Sequence, residues 1–88
     1  MKDISKPIRL AEHAKEKLSI RGANEAEIKE AIRTTQWKPA ELGRLECRKE
    51  FAFKKIWNEK FYEYRTVRPI FVEEKDRIFV ITVYVYYY

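Results

Sequence analysis

His13 is the only histidine of the chain. Its imidazole titrates nearer neutrality than any other side chain, so it is the first candidate for moving a proton. It follows Leu10 by three residues and precedes Ala14, so on a helix it borders the apolar stripe. Glu16, three residues on, can orient the ring. The ordinary alternatives are a structural histidine bonded to a neighbouring element and a surface pattern shared with Glu12, Lys15 and Lys17. Arg48, Arg65 and Arg68 follow in the second half. A guanidinium grips phosphate through two N–H groups and stabilises the charge that builds as the phosphate reacts. Thr82 and Tyr84 stand two apart, so on a strand their hydroxyls share a face. Tyr62, Tyr64, Tyr86 and Trp57 can stack on bases or pack on one another across strands. The set suits phosphate chemistry. No metal-ligand spacing, phosphate-cradling glycine loop or nucleophile elbow is present. Cys47 is alone, which excludes an intrachain disulfide and a cysteine-cluster metal site.

Something must hold these residues in place. The chain of 88 residues is long enough for one domain with one small core. Its hydrophobic fraction of 45% supports that core, and two glycines and three prolines leave little room for long loops. The net charge of +5 favours a polyanionic partner such as RNA or DNA. No apolar run approaches the roughly 20 residues that span a bilayer. The N-terminus lacks the hydrophobic stretch of a signal peptide. Both features, with the lone cysteine, point to the cytoplasm and to no membrane.

The composition changes once, from Ala, Glu, Lys and Ile before residue 36 to Phe, Tyr, Val and Arg after residue 44. Helices followed by strands predict an α+β fold. The first helix is expected over residues 8–20, with Leu10, Ala14 and Leu18 on its core stripe and Gly22 as its cap. The second is expected over residues 24–35. Asn24 and Glu27 form a capping box, and Ile28, Ala31 and Ile32 face the core. Strands are expected over residues 44–54, 61–73 and 77–87. In the first, Leu45, Cys47, Lys49, Phe51 and Phe53 are the core set, and Arg44, Glu46, Arg48 and Glu50 face away. Residues 54–60 read as a turn region. In the second strand, Arg65 goes with Val67 and Phe71, and Arg68 goes with Tyr64 and Ile70. Pro69 demotes the middle of this strand towards an edge or a bulge. In the last, strict alternation puts Phe79, Ile81, Val83 and Val85 inside. It puts Ile78, Val80, Thr82, Tyr84 and Tyr86 on the other face, a natural floor for a site.

Taken together these residues resemble a known family. Residues 12–17 (Glu-His-Ala-Lys-Glu-Lys), Arg21-Gly22-Ala23-Asn24-Glu25, Ile28 and Ala31-Ile32 are similar to the N-terminal half of the DUF4258 family. Arg48-Lys49-Glu50-Phe51, residues 57–62 (Trp-Asn-Glu-Lys-Phe-Tyr), Val67, residues 71–74 (Phe-Val-Glu-Glu), and Ile78 through Tyr84 are similar to its second half. The likeness covers about residues 8–86. That family resembles small toxins of the RelE/ParE and BrnT kind. The resemblance implies two N-terminal helices packed on a three- or four-stranded antiparallel sheet. It also implies a metal-independent endoribonuclease of the toxin–antitoxin type with no cofactor. His13, Arg21, Arg65, Thr82 and Tyr84 fall on the family's His, Arg, basic strand position, Thr and following aromatic.

The expected mechanism has His13 acting on the 2′-hydroxyl or the leaving oxygen. Arg65, with Arg48 or Arg68, stabilises the pentavalent phosphate, and Thr82 and Tyr84 position it. Arg21, Arg48, Arg68, Lys54, Lys55 and Trp57 are the expected nucleic-acid contacts, and the expected partners are RNA and a cognate antitoxin. A competing reading is a non-catalytic module of the same fold that binds nucleic acid or protein. A third is an antitoxin or orphan structural domain, though such antitoxins often carry disordered tails that this sequence does not display.

Overall fold

The computed structural model describes residues 6–88. It is an α+β protein of two helices and a six-stranded mixed sheet. The order along the chain is β1 (Ile8–Leu10), α1 (Glu12–Arg21), α2 (Glu25–Thr34), β2 (Lys38–Pro39), a tight turn at Glu41–Gly43, β3 (Leu45–Glu46), β4 (Lys49–Trp57), β5 (Lys60–Glu73) and β6 (Ile78–Tyr87). β5 is central. β6 pairs with one side of it, and β3 and β4 pair in succession with the other. β2 adds outside β3, and β1 runs parallel to the start of β6.

The sheet therefore has more strands than expected and is not wholly antiparallel. Residues 8–10 are a strand, not the first turn of a helix: Ile8, Arg9 and Leu10 pair with Ile78, Phe79 and Val80. The helix starts only at Glu12. Leu10, Ala14 and Leu18 still face the core, with Leu10 now delivered from a strand. α2 is bounded as its caps require. The Asn24 side chain accepts from the Glu27 backbone at 2.9 Å, and Glu27 Oε1 accepts from the Asn24 backbone at 3.2 Å. The stretch expected as a turn region belongs to the β4–β5 hairpin. Its two-residue loop is Asn58-Glu59, both at positive φ, as the twist of a tight hairpin demands.

Both helices lie on one face of the sheet. Their Ala14, Ile28, Ala31 and Ile32 share a core with Cys47, Val67, Phe71, Val80 and Val83. Phe71 is the largest wholly buried side chain, and Trp37 meets its ring edge-on at 5.1 Å between centroids. Strict alternation along β6 fails at one residue. Ile70 pairs with Thr82 but Phe71 pairs with Val80, so Ile81 is an unpaired bulge. Ile78 and Val80 before the bulge then share the helix-bearing face with Val83 and Val85 after it. Phe79 and Ile81, expected inside, are only half-buried. Thr82, Tyr84 and Tyr86 keep their expected place on the opposite, helix-free face.

Pro69 sits in the central strand and not at an edge, but one residue from the bulge in its pairing with β6. It is tolerated because of which groups pair. Tyr64 and Tyr88 exchange both backbone bonds, at 2.9 and 3.0 Å. By alternation the odd residues of β6 beyond the bulge turn their backbone groups away from β5. Pro69 faces Val83, one of those residues, so its missing N–H leaves the β5–β6 pairing whole. Its nitrogen faces the other side instead, where pairing lapses between Glu46↔Ile70 and Lys49↔Val67. The Val83 carbonyl points instead past the end of β1, where Arg21 Nη1 donates to it at 2.5 Å.

Candidate active site

The helix-free face carries an open concavity of about 530 Å³. Its floor is the outer face of β5 and β6, and the loop from Pro39 to Arg44 forms one wall. Glu46, Arg68, Thr82 and Tyr84 line it. The register explains the convergence. Glu46 on β3 pairs with Ile70, Ile70 pairs with Thr82, and Arg68 pairs with Tyr84, so three strands deliver these side chains to one patch.

Glu46 is 8% exposed, a buried carboxylate that must be paired. Arg68 supplies the pair through Nε at 3.2 Å and through Nη2. Arg48 adds a second cation 3.6 Å from the other carboxylate oxygen. The Arg68 guanidinium holds the Glu46 carboxyl below the usual carboxylate range against the opposing effect of burial, and Arg48 adds to the pull. Glu46 in turn raises Arg68, so the pair rests ionised, with Glu46 as a proton acceptor. Arg68 Nη1 also donates to Tyr86 Oη at 3.1 Å. The Tyr84 ring is flanked by two guanidiniums, Arg21 at 4.8 Å and Arg68 at 5.4 Å. A row of alternating charge and hydroxyl thus crosses the open face.

Thr82 completes the patch. It is 8% exposed, and its Oγ1 is buried with no hydrogen-bond partner among the described residues. A buried orphan hydroxyl costs on the order of 1–3 kcal/mol, and this one is covered even though Thr82 itself lines the concavity. Thr82→Val, which keeps the shape and deletes the hydroxyl, is therefore expected to raise stability by about 1 kcal/mol. The midpoint of urea unfolding measures this. A clear loss of stability would mean that the hydroxyl is already satisfied in the folded protein.

The structure brings together Arg21, Arg48, Arg68, Thr82 and Tyr84 of the residues singled out in the sequence. It does not bring His13 or Arg65 to them. His13 is exposed on α1, in the helix layer, and lines no part of the concavity. Arg65 points to the helix-bearing face, where Glu27 and the Gly22 carbonyl accept from it and the Phe53 ring lies 5.1 Å away. That set of partners ties β5 to the α1–α2 junction, which is a structural task. Trp57 stacks on Tyr87 at 5.3 Å between centroids and also belongs to the helix side. Lys54 and Lys55 are exposed at the irregularity in β4, beyond the concavity.

Glu46, Ile70 and the wall from Pro39 to Arg44 were not singled out as site residues in the sequence. Glu46 carried a signal, since it sits two residues from Arg44 and from Arg48 on the face opposite the core set. That signal gains meaning only when Arg68 is known to lie across from it. No protein-family model, no curated protein and no solved structure matches this chain. Among the described residues no group of His, Cys, Asp and Glu is gathered closely enough to hold a metal ion, and no helix is long and apolar enough to cross a membrane.

Proposed function

We propose that this protein is a metal-independent endoribonuclease of the RelE-like toxin kind, with its site on the helix-free face of the sheet. The observation that carries the reading is the buried Glu46–Arg68 pair beside the unpartnered Thr82 hydroxyl. A carboxylate and a fixed guanidinium at one open surface, with an unsatisfied hydroxyl just beneath it, suit cleavage at a ribose 2′-hydroxyl. The net charge of +5 and the layout of two helices on one face with the other open agree with it.

The roles follow from the geometry. Glu46 takes the proton from the 2′-hydroxyl. That oxygen attacks the adjacent phosphorus, and the bond to the 5′-oxygen breaks to leave a 2′,3′-cyclic phosphate. Arg68 stabilises the charge on the pentavalent phosphate. Tyr86 accepts from Arg68 and so keeps its own hydrogen to give to the departing 5′-oxygen. The proton on Glu46 then returns to solvent, and Tyr86 takes one back from solvent, which resets both groups. Arg21 and Tyr84 flank the path of the strand, and His13 has no part in the chemistry.

Purified protein in EDTA is expected to cleave total RNA, and Glu46→Gln and Arg68→Ala are each expected to reduce the rate by at least 100-fold. His13→Ala is expected to cleave at the wild-type rate. Circular dichroism checks that each variant is folded. Cleavage that survives in Glu46→Gln and disappears in His13→Ala would move the site to α1. No cleavage by the wild type, with binding that weakens steeply as salt is added, would favour a nucleic-acid-binding module on the same face.

A further inference from the structure

We propose that Leu42 is the base-contacting residue of this site and lies over one unstacked nucleobase of a single-stranded RNA held in the concavity. The inference rests on the ribonuclease reading and names its substrate class.

Leu42 is at odds with its surroundings in two ways. It is 84% exposed, the most exposed large apolar side chain among the described residues. Its backbone is left-handed, with φ 60° and ψ 35°, a conformation that costs a residue with a Cβ on the order of 1 kcal/mol or more. The turn itself does not ask for leucine. It is closed by the Ala40 backbone N–H to the Arg44 carbonyl at 2.8 Å and by the Arg44 N–H to the Glu41 carbonyl at 3.2 Å. Glycine would satisfy the same φ, and Gly43 follows at φ 72°. Packing does not ask for leucine either, since Leu42 is neither in the core nor among the hydrophobic side chains packed against it. An exposed apolar side chain on strained backbone therefore gains nothing from the fold. What it does is line the concavity that Thr82 and Tyr84 floor.

The chemistry of that space selects the occupant. A nucleobase has apolar faces and a polar edge. Leu42 offers an apolar contact to a face, and the exposed Tyr84 side chain offers a hydroxyl to the edge. Glu46 and Arg68 lie beside them for the ribose and phosphate. A volume of about 530 Å³ is of the size that holds a small-molecule ligand. A base in a duplex is shielded by its stack and its partner, so only an unpaired nucleotide places a base under Leu42.

The test uses a short single-stranded RNA whose 2′-hydroxyls are blocked as methyl ethers, so that it binds but is not cut. A matched strand lacks the base at one position, and that position is moved along the sequence. Wild-type protein is expected to bind the complete strand roughly tenfold more tightly than the strand lacking the key base. In Leu42→Gly that preference is expected to shrink to about twofold or less, while the melting temperature stays level or rises because the strain is relieved. A merely structural leucine would instead lower the melting temperature and leave the base preference alone. Equal base preference in both proteins would overturn the inference and spare the ribonuclease reading. No binding of either strand by the wild type would overturn both.

Discussion

Gly22→Ala is expected to cost roughly 3 kcal/mol or more, a large part of the stability of a protein this size. The added Cβ would lie 2.2 Å from Tyr87 Oη and 2.9 Å from Trp57 Cη2. Neither neighbour yields cheaply. The Tyr87 hydroxyl donates to the Arg21 carbonyl at 2.6 Å, and its ring is stacked on Trp57, with Phe53 edge-on at 5.2 Å and Tyr62 at 5.4 Å. The Gly22 carbonyl also accepts from Arg65, so the backbone cannot retreat without losing that bond. Position 22 has φ 80°, which adds the strain of a left-handed residue. Gly43→Ala provides the control. It has a similar φ of 72° and nothing within 4 Å, so it should lose only about 1 kcal/mol. Urea unfolding of the two variants side by side measures the difference. If Gly22→Ala fell no further than Gly43→Ala, the aromatic cluster would not be pressed against the helix junction.

That cluster also shows what local sequence could and could not reveal. Arg21-Gly22 was legible as a helix end, because a glycine at the close of a helical stripe has few other uses. Its second task, admitting Tyr87 and Trp57, depends on residues 35 or more positions away and leaves no local trace. The same divide separates the rest. α2 was bounded correctly by its capping box, a signal only four residues long. β1 was absorbed into the first helix, since three residues carry no period of their own and their partners are at the other end of the chain. The bulge at Ile81 was hidden because β6 is apolar on both faces, so no polar residue marks the slip in alternation. For the site, alternation along β5 separated Arg65 from Arg68 but could not say which face the helices cover. Helix packing decides that, and it puts Arg65 on the helix-bearing face and Arg68 on the open one. His13 drew attention for its chemistry alone, and a residue's chemistry says nothing of where the chain carries it.

Val83→Asp is expected to abolish folding, and the contrast with its neighbour Thr82 is the sharpest statement of how the sheet divides the protein. Val83 is wholly buried in the core that α1 and α2 cover. A carboxylate there loses its hydration and costs several kcal/mol, of the order of the whole net stability. It cannot escape by turning outward, because the register with Pro69 fixes which face position 83 presents. One residue earlier, Thr82 is nearly as buried but faces the concavity. There a polar group is tolerated at a cost that Thr82→Val should recover. Thermal melts followed by circular dichroism read both variants. The expected outcome is no cooperative transition for Val83→Asp and a higher midpoint for Thr82→Val. A cooperative melt of Val83→Asp at the wild-type temperature would mean that the helices do not cover this part of β6, and the assignment of Thr82 and Tyr84 to the open face would fall with it.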